Sequence, residues 1–99
     1  MGNIDTVHLE SAEIQTSDRQ IAGTLKQGES ATIFVGAVNA TFKVQLFGRI
    51  TATAQIDVDV DNSVVTTLTP SSRATVVNGQ RIVLTSRGAE AQTFLATQL

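Results

Sequence analysis

The chain has 99 residues, of which 41% are hydrophobic, and a formal net charge of −2 at pH 7. This length predicts one domain with a single core. Its seven lysines and arginines are scattered along the sequence, which argues against a nucleic-acid partner, because such proteins concentrate positive charge on one face. No apolar run approaches the roughly 18 residues of a membrane-spanning helix, and the absence of cysteine excludes disulfides and thiolate chemistry.

The first quarter of the chain shows weaker patterns than the remainder. Short strands are predicted at residues 6–10, 12–16 and 20–25, and residues 1–26 are expected to include an extended segment. The first residues lack a basic stretch followed by an apolar stretch, so no signal peptide is expected.

The middle of the chain contains the clearest strand patterns. A turn at residues 26–30 precedes an apolar run at 31–35, which is typical of a strand buried on both faces. Residues 42–47 alternate, with Phe42, Val44 and Leu46 on the inward side, and Gly48 then marks a bend or bulge. Unbroken alternation over residues 50–60 predicts one long strand that buries Ile56, Val58 and Val60 among others.

Turn residues divide the last 40 positions. A turn at 61–63 is followed by a strand at 64–69, which Pro70 ends. Asn78-Gly79 lies between two strand-like runs at 75–77 and 81–85, and this pair predicts a tight hairpin because both residues tolerate positive φ. The final segment, 89–99, has features of both helix and strand, and we predict a strand.

Seven to nine short strands, with turns every eight to ten residues, predict an all-β fold. We expect residues 1–99 to form a single-domain antiparallel β-sandwich, either jelly-roll or immunoglobulin-like.

The stretch QIDVDVDN, residues 55–62, places three aspartates at alternate positions. Side chains two apart on a strand lie about 7 Å apart on one face, too far to grip one cation together. The string resembles half of a calcium loop, but Asn62 stands where glycine is needed and Leu68 where glutamate is needed. We therefore predict a solvated strand face and no metal site; a cation site at the strand end, built from Asp59, Asp61 and Asn62, is the alternative.

Catalytic groups do not assemble in the sequence. His8 is the one histidine; it alternates with Val7 and Leu9, so we expect an outward-facing surface residue, with a subunit contact as the alternative. Asp57 and Asp59 have a spacing that glycosidases use, but the chain has no Trp or Tyr to form a platform for sugar. The sequence therefore predicts a protein that is not an enzyme and has no cofactor.

The predicted outward faces are rich in Thr and Gln and poor in Lys, which favours contact with other proteins. Candidate interface residues are Asp57 and Asp59 on the acidic strand, together with Arg81 and Arg87, which are either ordinary surface charges or partners for carboxylates of another subunit.

The order of four segments over residues 27–99 resembles small tailed-bacteriophage virion proteins: QGESATIFVG, ATFKVQLFG, ITATAQIDVDVDNSVVTTL and TVVNGQRIVLTSRGAEAQTFLATQL. Val64 and Val65 stand where those proteins often have an aromatic residue. The resemblance implies a β-sandwich that decorates or cements a capsid, commonly as a homotrimer docked on a major capsid protein. It would be made in the host cytoplasm and found in the virion. A fibre or neck component and a ligand-binding sandwich for carbohydrate or adhesion are the alternatives.

Overall fold

The computed structural model describes residues 8–9, 14–16 and 19–99, and it describes side chains from residue 19 onward. The described residues form strands, turns and bends, with no helix. The strands are β1 (His8–Leu9), β2 (Ile14–Thr16), β3 (Gln20–Leu25), β4 (Ser30–Leu46), β5 (Ile56–Val60), β6 (Ser63–Leu68), β7 (Ala74–Ser86) and β8 (Gln92–Gln98).

All eight strands belong to one antiparallel sheet in the order β2-β3-β8-β4-β7-β5-β6, with β1 paired to β4 outside this path. Six of them have five residues or more. The prediction of an all-β antiparallel fold is therefore confirmed for the described residues. Two strands are much longer than the sequence predicted, since β4 has 17 residues and β7 has 13.

These two long strands are paired at the centre of the sheet. They pair along both of their halves, but the register shifts between Val35 and Ala40 of β4, so residues 36–39 stand opposite Gln80 alone. The Gln80 side chain donates a hydrogen bond to the Ala37 carbonyl at 3.2 Å across this irregularity. Each long strand has two halves, which meet at this irregularity and have different neighbours. Strand β5 pairs with the second half of β7, and β8 pairs with the second half of β4.

The connectivity requires β7 to bend. Leu68 and Ser86 both pair with Ile56, so they lie within about 10 Å of each other. The chain from Leu68 to Ala74 can span at most about 22 Å. Ala74 and Ser86 are therefore no more than about 32 Å apart, whereas a straight strand of this length would span about 41 Å.

The core lies on one face of this curled sheet. Phe42, Val44 and Leu46 of β4 are buried, as predicted, and the Phe42 ring lies 5.6 Å from that of Phe34. The other buried hydrophobic side chains are Ile21, Leu25, Ala31, Ile33, Ala40, Ala54, Ile56, Val58, Val60, Leu68, Val77, Ile82, Leu84, Phe94 and Ala96. Aliphatic residues dominate this set.

The predicted strand at residues 50–60 is wrong in its first half. Strand β5 begins only at Ile56, and the preceding residues form a turn in which the Ala54 amide donates to the Thr51 carbonyl at 3.2 Å. Thr51, which alternation would place on the face opposite Ile56 and Val58, is buried, and its amide donates to Oε1 of Gln92 at 2.9 Å. A long-range hydrogen bond, which alternation does not encode, therefore overrides the local strand pattern.

The predicted hairpin at Asn78-Gly79 is also wrong, because β7 runs straight through both residues. Neither residue has the positive φ that a tight two-residue turn requires. Glycine is needed at position 79 for a different reason: a Cβ atom there would overlap Cγ1 of Val60 and lie 3.0 Å from Oδ2 of Asp61. Gly79 lets the β5–β6 connection approach the backbone of β7.

Several other predictions are confirmed. Residues 27–28 form a turn with Gly28 at φ 84°, and Gly48 lies in a bend at φ 66°. The C-terminal segment is the strand β8, and β3 has the predicted bounds. In the predicted strands at 6–10 and 12–16, only β1 and β2 are described; the other residues and the His8 side chain lie outside the described part. Within that part, no helix has the length and hydrophobicity needed to span a membrane.

Candidate protein-contact surfaces

Asp57 is satisfied within its own chain. It points outward from β5, where its Oδ1 accepts a hydrogen bond from Oγ1 of Thr67 at 2.9 Å. Its Oδ2 accepts a hydrogen bond from Nε of Arg87 at 2.8 Å. The Asp57 side chain is 15% exposed and the Arg87 side chain is 60% exposed. The structure therefore brings two of the predicted interface residues, Asp57 and Arg87, together in one subunit.

Asp59 lies beside that pair without joining it. In the sheet it stands between Val64 of β6 and Val83 of β7. Its side chain is partly buried, and Oδ1 is buried with no hydrogen-bond partner among the described residues. The surface formed by the outward side chains of β5 and its neighbours, here called the β5 face, thus carries one paired and one unpaired carboxylate.

Asp61 and Asn62 form the tight turn between β5 and β6, as the sequence predicted. Their φ angles of 52° and 71° match a two-residue hairpin turn of the mirror-image type. Oδ1 of Asp61 accepts the backbone N–H groups of Gln80 and Arg81, both at 3.0 Å. Nη1 of Arg81 donates to Oδ1 of Asn62 at 3.0 Å, so this turn is fastened to β7 by four residues.

These bonds bear on the alternative cation site at Asp59, Asp61 and Asn62. Oδ1 of Asp61 and Oδ1 of Asn62 are already occupied by protein donors. Among the residues that the structure describes, no group of three or more His, Asp or Glu is placed to hold a metal ion. The geometry therefore assigns Asp61 and Asn62 to fastening the turn.

A second outward surface, which we call the low-charge face, covers β3, β8, the second half of β4 and the first half of β7. Strand register places its side chains in rows, such as Gln20, Thr97, Lys43 and Val76. One of its twelve residues, Lys43, is charged. The members are Gln20, Ala22, Thr24, Thr41, Lys43, Gln45, Ala74, Val76, Asn78, Thr93, Leu95 and Thr97.

Hydrogen bonds between neighbouring strands order the low-charge face. The hydroxyls of Thr24 and Thr93 are 2.8 Å apart, and Nδ2 of Asn78 donates to Oγ1 of Thr41 at 2.7 Å. Such cross-strand pairs restrict the rotamers of short side chains before any partner arrives. Sequence reasoning anticipated outward Thr and Gln in general but singled out the acidic strand, because the assembly of this face depends on pairing between distant segments.

A groove of about 220 Å³ lies between β7 and the β5–β6 hairpin, and we call it the β7 groove. Four of its five lining residues are valines: Val60, Val65, Val76, Val77 and Asn78 line it. Val76 is 58% exposed and Val65 is 55% exposed. The sequence offered one signal for it, the two adjacent apolar residues at the start of β6, where a regular half-buried strand would alternate.

Comparisons of this protein with family models, curated proteins and solved structures find no match. Function is therefore inferred from the residues of this chain itself.

Proposed function

We propose that this protein is a non-enzymatic structural component of a virion, most specifically a decoration or cement protein that stabilises an assembled capsid. The observation that carries the proposal is the low-charge face, with one charged side chain among twelve outward positions. The resemblance of residues 27–99 to small tailed-bacteriophage virion proteins supplies the setting, which is the virion after synthesis in the host cytoplasm.

The low-charge face suits protein contact on energetic grounds. Covering a charged side chain removes it from water at a cost of several kcal/mol unless it is paired, and the centres of protein interfaces are accordingly depleted of charge. Ordering a lysine or glutamine costs up to about 2 kcal/mol of rotamer entropy. Threonines tied to the neighbouring strand, such as Thr24 and Thr93, have less freedom to lose.

The proposed assembly is a homotrimer that docks on a major capsid protein. A closed ring of copies would cover exposed strand edges, which otherwise invite uncontrolled pairing. We also propose that the sheet forms two layers as a β-sandwich, since the bend in β7 and the excess residues 36–39 of β4 are features that let one sheet fold over its core.

Other places and roles remain as alternatives for testing. A fibre or neck component of the same class of virion would use the same face. A carbohydrate-binding or adhesion module is less favoured, because such modules stack sugar on exposed Trp or Tyr, and this chain has neither.

Light scattering after size exclusion tests the assembly. A homotrimer predicts a mass of about 31.5 kDa, three times the 10.5 kDa of one chain. Co-sedimentation tests the docking: the purified chain is mixed with empty shells of the major capsid protein encoded by the same genome. We expect saturable binding at a fixed ratio to shell subunits. A strict monomer that stays in the supernatant at all concentrations would refute the proposal.

A further inference from the structure

One edge of β7 is open over its first half. Residues 74–79 pair with β4 on one side, whereas β5 pairs with β7 only between Ile82 and Ser86. The turn residue Asp61 satisfies the amides of Gln80 and Arg81 and so closes the ladder at that point. Among the described residues, no strand pairs with residues 74–79 on the side away from β4.

The β7 groove follows this open edge. Successive side chains of a strand point to opposite faces of the sheet, yet Val76, Val77 and Asn78 all line the same groove. Three consecutive residues can border one groove only if it runs along the edge of the strand. The groove therefore presents backbone donors and acceptors of β7 together with apolar side chains.

The β5–β6 hairpin supplies the opposite wall of the β7 groove. Val60, at the end of β5, and Val65, the extra residue where the β5–β6 register shifts, face β7 across it. At about 220 Å³, the β7 groove has room for one or two aliphatic side chains of a bound segment. An extended backbone lying at its mouth would reach the free hydrogen-bonding groups of β7.

Three cationic side chains belong to residues near the β7 groove. Exposed Arg73 comes directly before β7, where its Nε donates to the Pro70 carbonyl at 2.7 Å. Exposed Arg81 stands at the other end of the open edge, and exposed Lys43 is the cross-strand neighbour of Val76. The carboxylate of Asp61 at the Arg81 end already accepts two backbone N–H groups, so the rim favours an anionic partner.

We propose that the β7 groove binds an extended, acidic segment of a partner protein, which adds to the edge of β7 as an antiparallel or parallel strand. Apolar side chains of the segment enter the β7 groove, and carboxylates of the segment contact Arg73 and Arg81. The inference deepens the docking step of the proposed function and rests on it only for the partner being a capsid protein.

A second copy of this chain fits the β7 groove less well. If two β7 edges paired antiparallel about Val77, Arg73 of each copy would lie opposite Arg81 of the other copy. Like charges directly opposite each other destabilise a strand pair. Charge complementarity therefore favours a different, acidic chain.

The test uses the full-length, ¹⁵N-labelled protein and three nine-residue peptides with blocked ends. The probe is DTVTVTVTD, a lysine version is KTVTVTVTK, and DTVTPTVTD removes one backbone donor at the centre. We expect the acidic probe to shift the amide resonances of residues 74–79 with a Kd on the order of 0.1 mM. The lysine and proline peptides should bind at least about fivefold more weakly.

Variants of exposed residues locate the site. Val76→Lys should abolish binding of the acidic probe, since an edge lysine blocks strand addition, whereas Ala91→Lys, at an exposed position just before β8, should leave it unchanged. Arg73→Gln combined with Arg81→Gln should equalise the affinities for the acidic and lysine peptides. Unfolding curves of each variant show that the fold is kept.

Three results would overturn the inference: no resonance shifts at millimolar probe, equal binding of all three peptides, or shifts that lie away from β7. Shifts of the amides of residues 74–79 on raising the concentration of the protein alone, without shifts in β3 and β8 of the low-charge face, would instead identify a second copy as the occupant. Light scattering and shell co-sedimentation remain separate measurements, so a failure of the virion proposal is distinguishable from a failure at the groove.

Discussion

Gln92 lies in the core with 1% of its surface exposed, and both ends of its amide are used. Its Nε2 donates to carbonyl oxygens of the 47–49 segment and of its own strand, and its Oε1 accepts the Thr51 amide. A buried polar group is tolerated when it is hydrogen-bonded in this way. The residue therefore fixes the chain between β4 and β5 and ends the regular alternation there.

Replacing Gln92 with Leu should lower the free energy of unfolding by about 1–3 kcal/mol, because the buried Thr51 amide loses its acceptor. Urea unfolding gives the magnitude, and hydrogen exchange should show faster exchange of the Thr51 amide. The matched control is Gln45→Leu on the partly exposed face of β4, expected to change stability by at most about 0.5 kcal/mol. Equal effects of both changes would contradict the role assigned to Gln92.

Gly79→Ala should destabilise the protein by about 1–3 kcal/mol, because the new methyl group overlaps Val60 and crowds Asp61. Thermal unfolding measures the loss. Val76→Thr, an exposed change in the same strand, serves as the control and should have little effect. A neutral or stabilising Gly79→Ala would show that the β5–β6 turn does not press against β7.

At the scale of elements, the β5–β6 hairpin and the long β7 depend on each other. The hairpin turn has the backbone that two-residue hairpins favour, and Oδ1 of Asp61 accepts the backbone N–H groups of Gln80 and Arg81 in β7. The hairpin thus ends the β5–β7 ladder and leaves the first half of β7 open. One wall of the β7 groove comes from this arrangement.

Asp61→Ala should cost about 2–3 kcal/mol, since it removes the acceptor of two backbone N–H groups and places alanine at positive φ. Asp61→Asn should cost at most about 1 kcal/mol, because asparagine tolerates this φ and keeps a side-chain oxygen. Chemical denaturation compares the two variants. If Asn were as damaging as Ala, the hydrogen bonds to Gln80 and Arg81 would not explain the effect.

At the scale of the whole molecule, the sheet presents two outward surfaces of different character. The β5 face carries one carboxylate paired within the chain, Asp57 with Arg87, and one, Asp59, with no partner among the described residues. The low-charge face carries Lys43 as its one charge and is ordered by cross-strand hydrogen bonds. An assembling protein should bury the second surface before the first, because uncharged side chains cost less to remove from water.

Thr24→Lys, which places a charge on the low-charge face, should shift the assembly toward monomer by at least about tenfold in dissociation constant. Light scattering over a dilution series measures this shift. The double change Asp57→Asn with Asp59→Asn should leave assembly unchanged and reduce stability by at most about 1 kcal/mol, because the Arg87 partner of Asp57 is 60% exposed. The opposite pattern would identify the β5 face as the interface, as the sequence alone predicted.

Local patterns in the sequence determined much of the fold. Alternation identified the inward sides of β4 and β5, because side-chain period along a strand needs no knowledge of the partner strand. Turn chemistry placed the bends at Gly28 and Gly48 and the hairpin at Asp61-Asn62, where single residues adopt the left-handed backbone. The same information gave the all-β class and the outward-facing aspartates.

Only the tertiary structure decided which long-range contacts override those patterns. Residues 50–55 alternate like a strand, but Gln92, 41 positions from Thr51, holds them in a loop. Asn78-Gly79 reads as a turn, but glycine there serves the close approach of Val60 across the sheet. The low-charge face and the β7 groove likewise arise from strand order, and strand order is set by packing between segments far apart in sequence, which no local periodicity records.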